Sequence, residues 1–281
     1  MRKDDLLVSS SLHVSAFGDP ENPPVFFLHG FMGSGQDWAE TADLLTDSFH
    51  CLLVDLPGHG KTGPMDNDQL YTVPGCAKAV IETIEANNIN SEVGAMARAG
   101  VVGYSMGGRI ALYISIYHPE KCKAVITESA SPGLIHENDR ESRAESDERW
   151  AAVFEQRGIT EAVGEWYAQP LFSSLRARQE LYSRIVSRRC RNNPKEMARV
   201  MRGMSIAGQE SLWNSLPDLS IPVLAISGGM DRKYIRVAGE MAGLSPMIQT
   251  AIVSGAGHNA HMEDPEAVAG YTRSFFKKIM R

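Results

Sequence analysis

The nine residues Val101-Val-Gly-Tyr-Ser-Met-Gly-Gly-Arg109 constrain this chain more than any other stretch. Val101 and Val102 end a β-branched run, and Ile110-Ala-Leu-Tyr-Ile-Ser-Ile opens an apolar one. The reading is a strand that turns abruptly into a helix. Between them lies Gly-x-Ser-x-Gly, centred on Ser105. A serine pushed outward from so sharp a turn needs the residues two before and two after it to touch, and only glycine permits that approach. Taken alone, the pattern also describes an ordinary glycine-rich turn. The rest of the chain decides between the two.

Strands are expected at residues 6–17, at Val25-Phe-Phe-Leu28, at Cys51-Leu-Leu-Val54, at Ala124-Val-Ile-Thr127, at Ile221 to Ser227 and at Met247 to Val253. Helices are expected around Asp37 to Leu45 and from Ala77 to Asn87. A final helix follows Asp264-Pro265, with Asp as N-cap and Pro at the first helical position. Strands alternating with helices imply a mostly parallel sheet covered on both faces. From residue 134 to 216 the strand signals vanish and charged helical segments replace them. That stretch holds 13 of the 28 basic residues, of which all but Lys195 are arginine, and 12 of the 34 acidic ones. The expected organisation is a core over 1–133 and 217–281, interrupted by a helical cap over 134–216. A cap in that place covers the carboxyl ends of the strands, where open α/β sheets bind ligands. Asn90 to Ala99 is irregular and lies away from that edge.

Composition narrows the function classes. The chain has 281 residues, 22% of them charged, and a net charge of −6. That balance argues against a general nucleic-acid binder, which would carry a basic stripe. No apolar run is long enough to span a bilayer, and the opening residues show no signal-peptide pattern. Cys51, Cys76, Cys122 and Cys190 are scattered without a C-x-x-C pair, which reads as incidental thiols in a reducing cytoplasm rather than as disulfides or metal ligands.

Three residues complete a chemical constellation, each just after a strand: Ser105, Asp231 after Gly228-Gly-Met, and His258 after Gly255-Ala-Gly. Nucleophile, acid and histidine in that chain order are the catalytic set of the α/β-hydrolase fold. Histidine takes the serine proton near neutral pH, and the carboxylate orients and charge-stabilises it. The other readings are a helix N-cap for Asp231 and a surface loop for His258, with His261 as a rival base a turn further on. The oxyanion donors are expected at the backbone N–H of Met106 and of Phe31, in the His29-Gly-Phe turn.

The motifs together resemble one branch of this fold. They are His29-Gly-Phe-Met-Gly-Ser34 followed by Trp38, Asp55-Leu-Pro-Gly-His-Gly60, and the Ser105 turn. In the cap come Ser131-Pro-Gly-Leu134, Ser146-Asp-Glu-Arg-Trp150, Trp166-Tyr-Ala-Gln-Pro-Leu-Phe172, Arg189 with Asn192-Asn193, and Gln209 with Leu212-Trp213; Ala256-Gly-His-Asn-Ala-His261 closes the set. This resembles the 2-succinyl-6-hydroxy-2,4-cyclohexadiene-1-carboxylate synthases of menaquinone or phylloquinone biosynthesis. The resemblance implies a lyase that eliminates pyruvate from a tricarboxylate, with Ser105 as base and no metal or organic cofactor. It also implies that Arg109, Arg143 and Arg189 bind carboxylates, with Tyr104 and Trp166 lining the pocket. Arg109 stands at a helix start, where a cation opposes the helix dipole, and this favours a functional role. Arg143 sits among Glu141 and Glu145 and reads equally as a solvated charge. Arg184, Arg188 and Arg191 share an exposed helix face, with Arg189 about 100° away from Arg188. A serine hydrolase of the same fold, which would favour an apolar pocket, and a non-catalytic binding protein are the competing expectations.

Overall fold

The computed structural model describes residues 12–87 and 99–280. Strand β1 (Val14–Phe17) and β2 (Pro24–Leu28) lead to a 3-10 turn at Gly35–Trp38 and the short helix α1 (Ala39–Asp43). Then come β3 (His50–Val54), α2 (Val73–Asn87), β4 (Ala99–Tyr104), α3 (Met106–Tyr117) and β5 (Cys122–Glu128). Helices α4 (Glu137–Arg157), α5 (Ile159–Ala168), α6 (Ser173–Arg176), α7 (Gln179–Arg189) and α8 (Pro194–Gly203) follow. The chain closes with β6 (Val223–Gly228), α9 (Arg232–Leu244), β7 (Ile248–Val253), α10 (Ala260–Glu263) and α11 (Pro265–Ile279).

Two expectations shift. The helix expected from Asp37 to Leu45 is a 3-10 turn run into a single α-turn, and the one expected from Ala77 begins four residues earlier, at Val73. Residues 6–11 of the opening strand region, and 90–98 of the irregular segment, lie outside the described residues.

The sheet runs β1-β3-β2-β4-β5-β6-β7. Only the β1–β3 pair is antiparallel. Strand β2 shows why both faces are covered. Phe26 and Leu28 enter the core beneath α2 and α3, while Val25 and Phe27 enter the opposite core with α1 and α11. A strand buried on both sides reads as a continuous apolar run, which is how β2, β3 and β4 appear in the sequence. Helices α4 to α8 are inserted between β5 and β6, and they cover the end of the sheet where Ser105 turns.

Candidate active site

Ser105 occupies a left-handed conformation, φ 49° and ψ −103°. The glycine clearances show how the turn is made. A Cβ on Gly103 would lie 2.3 Å from the Gly107 carbonyl oxygen, and one on Gly107 would lie 2.4 Å from the Leu28 carbonyl. No side chain fits at either place, so the backbone itself holds Ser105 outward. The Ser105 N–H donates to the Glu128 carbonyl at 2.8 Å, tying the turn to β5.

His258 and Asp231 arrive from the loops after β7 and β6. The His258 Nδ1–H donates to Asp231 Oδ2 at 2.7 Å, and His258 Nε2 stands 3.4 Å from Ser105 Oγ. That second contact is long, and such bonds tighten when substrate fills the site. Asp231 also caps α9, accepting from the Tyr234 N–H at 3.4 Å. Its two readings are therefore compatible, one oxygen serving each. The surface-loop reading of His258 is overturned, because its side chain is 3% exposed. His261 is instead fully buried with its Nδ1 2.8 Å from Glu128 Oε1.

The turn bearing Phe31 is held by two buried histidines. Gly33 N–H closes it on the Gly30 carbonyl at 3.0 Å. His29 donates from Nδ1 to that carbonyl and accepts the Leu56 N–H on Nε2 at 3.0 Å. His59 donates from Nδ1 to the Pro57 carbonyl and accepts the Met32 N–H on Nε2 at 3.2 Å. Burial lowers both pKa values, that of His59 far below the ordinary value, so both rings stay neutral and keep an acceptor nitrogen. Met106 is the first residue of α3, and its N–H has no carbonyl one turn back within the helix. Phe31, Ser105 and Met106 line one wall of the same cavity.

That cavity lies between core and helical insertion and has two lobes that meet at Ser105, Phe31, Arg143 and Trp166. They enclose about 560 and 1060 Å³ of empty space, open mouth included. The first holds Met106 and Arg109, and the second holds Tyr104, His258, Arg189 and Lys233. Trp166 packs edge-on against Phe31 and Trp150, with centroids 5.1 and 5.0 Å away. Tyr104 lies against His258 at 5.4 Å, and Gly30 makes room for it, since a Cβ there would sit 2.5 Å from its ring. Burial raises the Tyr104 pKa well above the usual value, so its hydroxyl keeps its proton.

The three arginines differ. Arg109 donates to Gln209 Oε1 at 2.8 Å and to the Met204 carbonyl at 2.6 Å, neither of them charged. Burial, with Arg143 nearby, draws its pKa down to about 10, still cationic at neutral pH. Arg143 pairs one turn ahead with Asp147 at 2.7 Å and lines both lobes, rather than joining Glu141 and Glu145 at the surface. The fork of Arg189 is already engaged by a carboxylate of the protein: Asp37, at 3.0 and 2.7 Å, with Tyr167 Oη at 3.0 Å. A guanidinium only 3% exposed needs such a partner. Although burial opposes its charge, Asp37 and Tyr167 raise its pKa above that of an ordinary arginine. The same Asp37 draws in Arg188, which is half-buried at 3.6 Å rather than exposed.

Sequence reasoning missed Lys233 and Tyr234. Both stand on the first turn of α9, directly after Asp231, and Tyr234 packs on the His258 ring at 4.9 Å. Their signal was positional, because side chains opening a helix after a strand face the active edge. Among the described residues, no cluster of His, Cys, Asp or Glu could hold a metal ion, and no helix is long and apolar enough to cross a membrane.

Residues 23–265 match the α/β hydrolase fold family. The putative 2-succinyl-6-hydroxy-2,4-cyclohexadiene-1-carboxylate synthase of Bacillus subtilis strain 168 is 32% identical over 263 residues, 93% of each chain. The corresponding synthase of Escherichia coli O1:K1 is 33% identical over 258 residues, covering 92% of this chain and 95% of its own. Among solved structures, MenH from S. aureus superposes with a TM-score of 0.87 at 27% identity, over 96% of this chain and 99% of its own. The chain belongs to the α/β-hydrolase fold family and, within it, to the 2-succinyl-6-hydroxy-2,4-cyclohexadiene-1-carboxylate synthases.

Proposed function

We propose that this chain eliminates pyruvate from 2-succinyl-5-enolpyruvoyl-6-hydroxy-3-cyclohexene-1-carboxylate, giving 2-succinyl-6-hydroxy-2,4-cyclohexadiene-1-carboxylate. The observation that carries the reading is the charge of the cavity. Arg109, Arg143, Arg189 and Lys233 line the two lobes around Ser105; Arg143 is paired with Asp147 and Arg189 with Asp37, while Arg109 and Lys233 make no ion pair among the described residues. A tricarboxylate suits that wall, and an apolar ester does not. The helical insertion, taken as residues 134–216, is the cap that closes over it.

The bond changes follow from the two names. A 3-ene becomes a 2,4-diene when a proton leaves C2 and the C5–O bond breaks, with the double bond shifting between them. His258 takes the Ser105 hydroxyl proton, and the Ser105 oxygen removes the C2 proton beside the succinyl carbonyl. The electrons gather on that carbonyl oxygen, held by the N–H groups of Phe31 and Met106, and then expel the enol oxygen of pyruvate. The proton on His258 returns to the leaving oxygen, and Ser105 is left as it began. Asp231 stabilises the histidinium between the two transfers. No step requires a metal or an organic cofactor. A small-molecule substrate and free thiols at Cys51, Cys76, Cys122 and Cys190 fit a cytoplasmic enzyme of menaquinone biosynthesis.

The test is one assay on wild type and Ser105→Ala, following pyruvate release together with growth of the diene absorbance. Conversion by wild type should fall at least about 10²-fold in the variant. Failure of wild type to convert the substrate, with turnover of simple esters instead, would make the chain a serine hydrolase.

A further inference from the structure

Behind the site lies a buried acid–base pair that the proposed reaction does not use. Glu128 ends β5 and is 0% exposed. Its backbone carbonyl accepts the Ser105 N–H at 2.8 Å. Its side-chain Oε1 accepts from the His261 backbone N–H at 3.2 Å and from His261 Nδ1 at 2.8 Å. His261 stands three residues after His258, on the short helix α10 that follows its loop. One residue therefore grips the turn that carries the serine with its backbone and the helix that follows the histidine's loop with its side chain.

Two aromatic rings pack on His261, while its Nε2 and the Glu128 Oε2 are buried without a hydrogen-bond partner. Trp38 stacks on one side, with centroids 4.0 Å apart and planes 25° apart, and Tyr104 packs at 4.8 Å. Tyr104 is the residue before Ser105, so the ring bears on the serine turn a second time. Next to Glu128, Ser129 is held at φ 48°, and its N–H donates to the Ile226 carbonyl at 2.9 Å. The end of β5 is thus pinned and cannot drift with its side chain. Burying a carboxylate and an imidazole is costly, and apolar side chains of similar size fill such a place at no loss of stability. Neither side chain lines the cavity.

We propose that Glu128 and His261 act as a positioning pair that sets the separation of Ser105 from His258. The proposal rests on reading Ser105 and His258 as the proton-transfer pair. Its test uses Glu128→Leu, Glu128→Gln and His261→Leu in the full chain, with two readouts. One is kcat and KM for the elimination. The other is the rate at which a small fluorophosphonate labels Ser105, where the serine oxygen attacks phosphorus, fluoride leaves and His258 takes the hydroxyl proton.

Glu128→Leu should lower kcat and the labelling rate by about 10²-fold, the usual consequence of a misplacement near 1 Å, while KM stays close to wild type because the cation wall is untouched. Glu128→Gln keeps an acceptor for both His261 donors and should recover most of each rate. His261→Leu cuts the same link from the other side, so it should match Glu128→Leu, and the double variant should be no worse. If Glu128→Leu does not fold, His261→Leu and Glu128→Gln carry the same comparison. Wild-type kcat and labelling in a variant of lowered Tm would overturn the proposal, as would KM rising in step with the fall in kcat. If wild type is labelled but does not eliminate pyruvate, the functional reading falls, and the labelling rates of the variants still decide the role of the pair.

Discussion

The two walls of the cavity are built on different principles. The core wall is backbone: Ser105 at φ 49°, Met32 at φ 60°, and glycines at 103 and 107 with no room for a Cβ. The cap wall is side chain: Arg143 on Asp147, and Arg189 reaching down to Asp37. Backbone sets positions to tenths of an ångström and cannot adapt. Side-chain ion pairs place charge but leave freedom to move. In the proposed reaction the first wall carries the chemistry and the second the recognition, and the inserted helices need anchors that the core does not. Three are buried polar links: Arg189 to Asp37, Tyr71 Oη to Glu196 at 2.5 Å, and Ser174 to Glu263 at 3.0 Å.

Breaking the strongest anchor should have the largest effect. Asp37→Ala leaves the Arg189 guanidinium buried without its partner, at a cost of about 3–5 kcal/mol and a Tm loss on the order of 10 °C by calorimetry. The pH dependence checks the cause. Burial alone would raise the Asp37 pKa, but Arg189 outweighs it and holds the carboxyl below its ordinary value of 3.8. A depressed folded-state pKa contributes stability that is complete above the unfolded value and is lost as pH falls through the folded one. The Tm gap between wild type and Asp37→Ala should therefore be constant from neutrality to about pH 5, and should shrink below pH 4. A gap that does not close on acidification would show that packing, not charge, holds this anchor.

The opposite wall is tested by Gly103→Ala. The added Cβ would meet the Gly107 backbone at 2.3 Å, where no flexible side chain can give way. Overpacking of this kind costs about 1–3 kcal/mol, less than the lost anchor. Its signature is different, however: the shift falls on Ser105, so kcat should drop by roughly 10²-fold while KM holds. A variant of normal kcat would mean that the backbone wall adapts after all.

How much was legible beforehand follows the same division. The Ser105 turn, the order of Ser105, Asp231 and His258, and the Phe31 turn were readable because backbone geometry leaves local marks: glycine spacings, strand ends, small residues at the turns. The cap wall was not. Asp37 and Arg189 lie 152 residues apart, and nothing local to either reveals the pair. Arg143 had Glu141 and Glu145 as near neighbours in sequence, which suggested a solvated face, but helical spacing turned it onto Asp147 and into the cavity. Glu128 and His261 show the same limit within the core. His261 was visible as a rival base, and only the packing of β5 near α10 shows that its nitrogen faces a carboxylate 133 positions away.

The smallest effect belongs to Lys233, where the cap-side principle extends to the rim of the core. It lines the larger lobe with His258 but is largely exposed, and its Nζ lies over the Tyr234 ring, 5.4 Å from the centroid. Among the described residues it makes no ion pair, so its charge is available to a carboxylate entering the cavity. Solvent screens an exposed contact, which limits its worth to about 1 kcal/mol or less. Lys233→Met should therefore raise KM only about two- to five-fold with kcat unchanged, and the difference should fade as salt is added. Steady-state kinetics at two ionic strengths would measure both. A fall in kcat that salt does not touch would move Lys233 from recognition to chemistry, and the division between the two walls would then fail at α9, where the acid of the site and the first cation of the lobe share one helical turn.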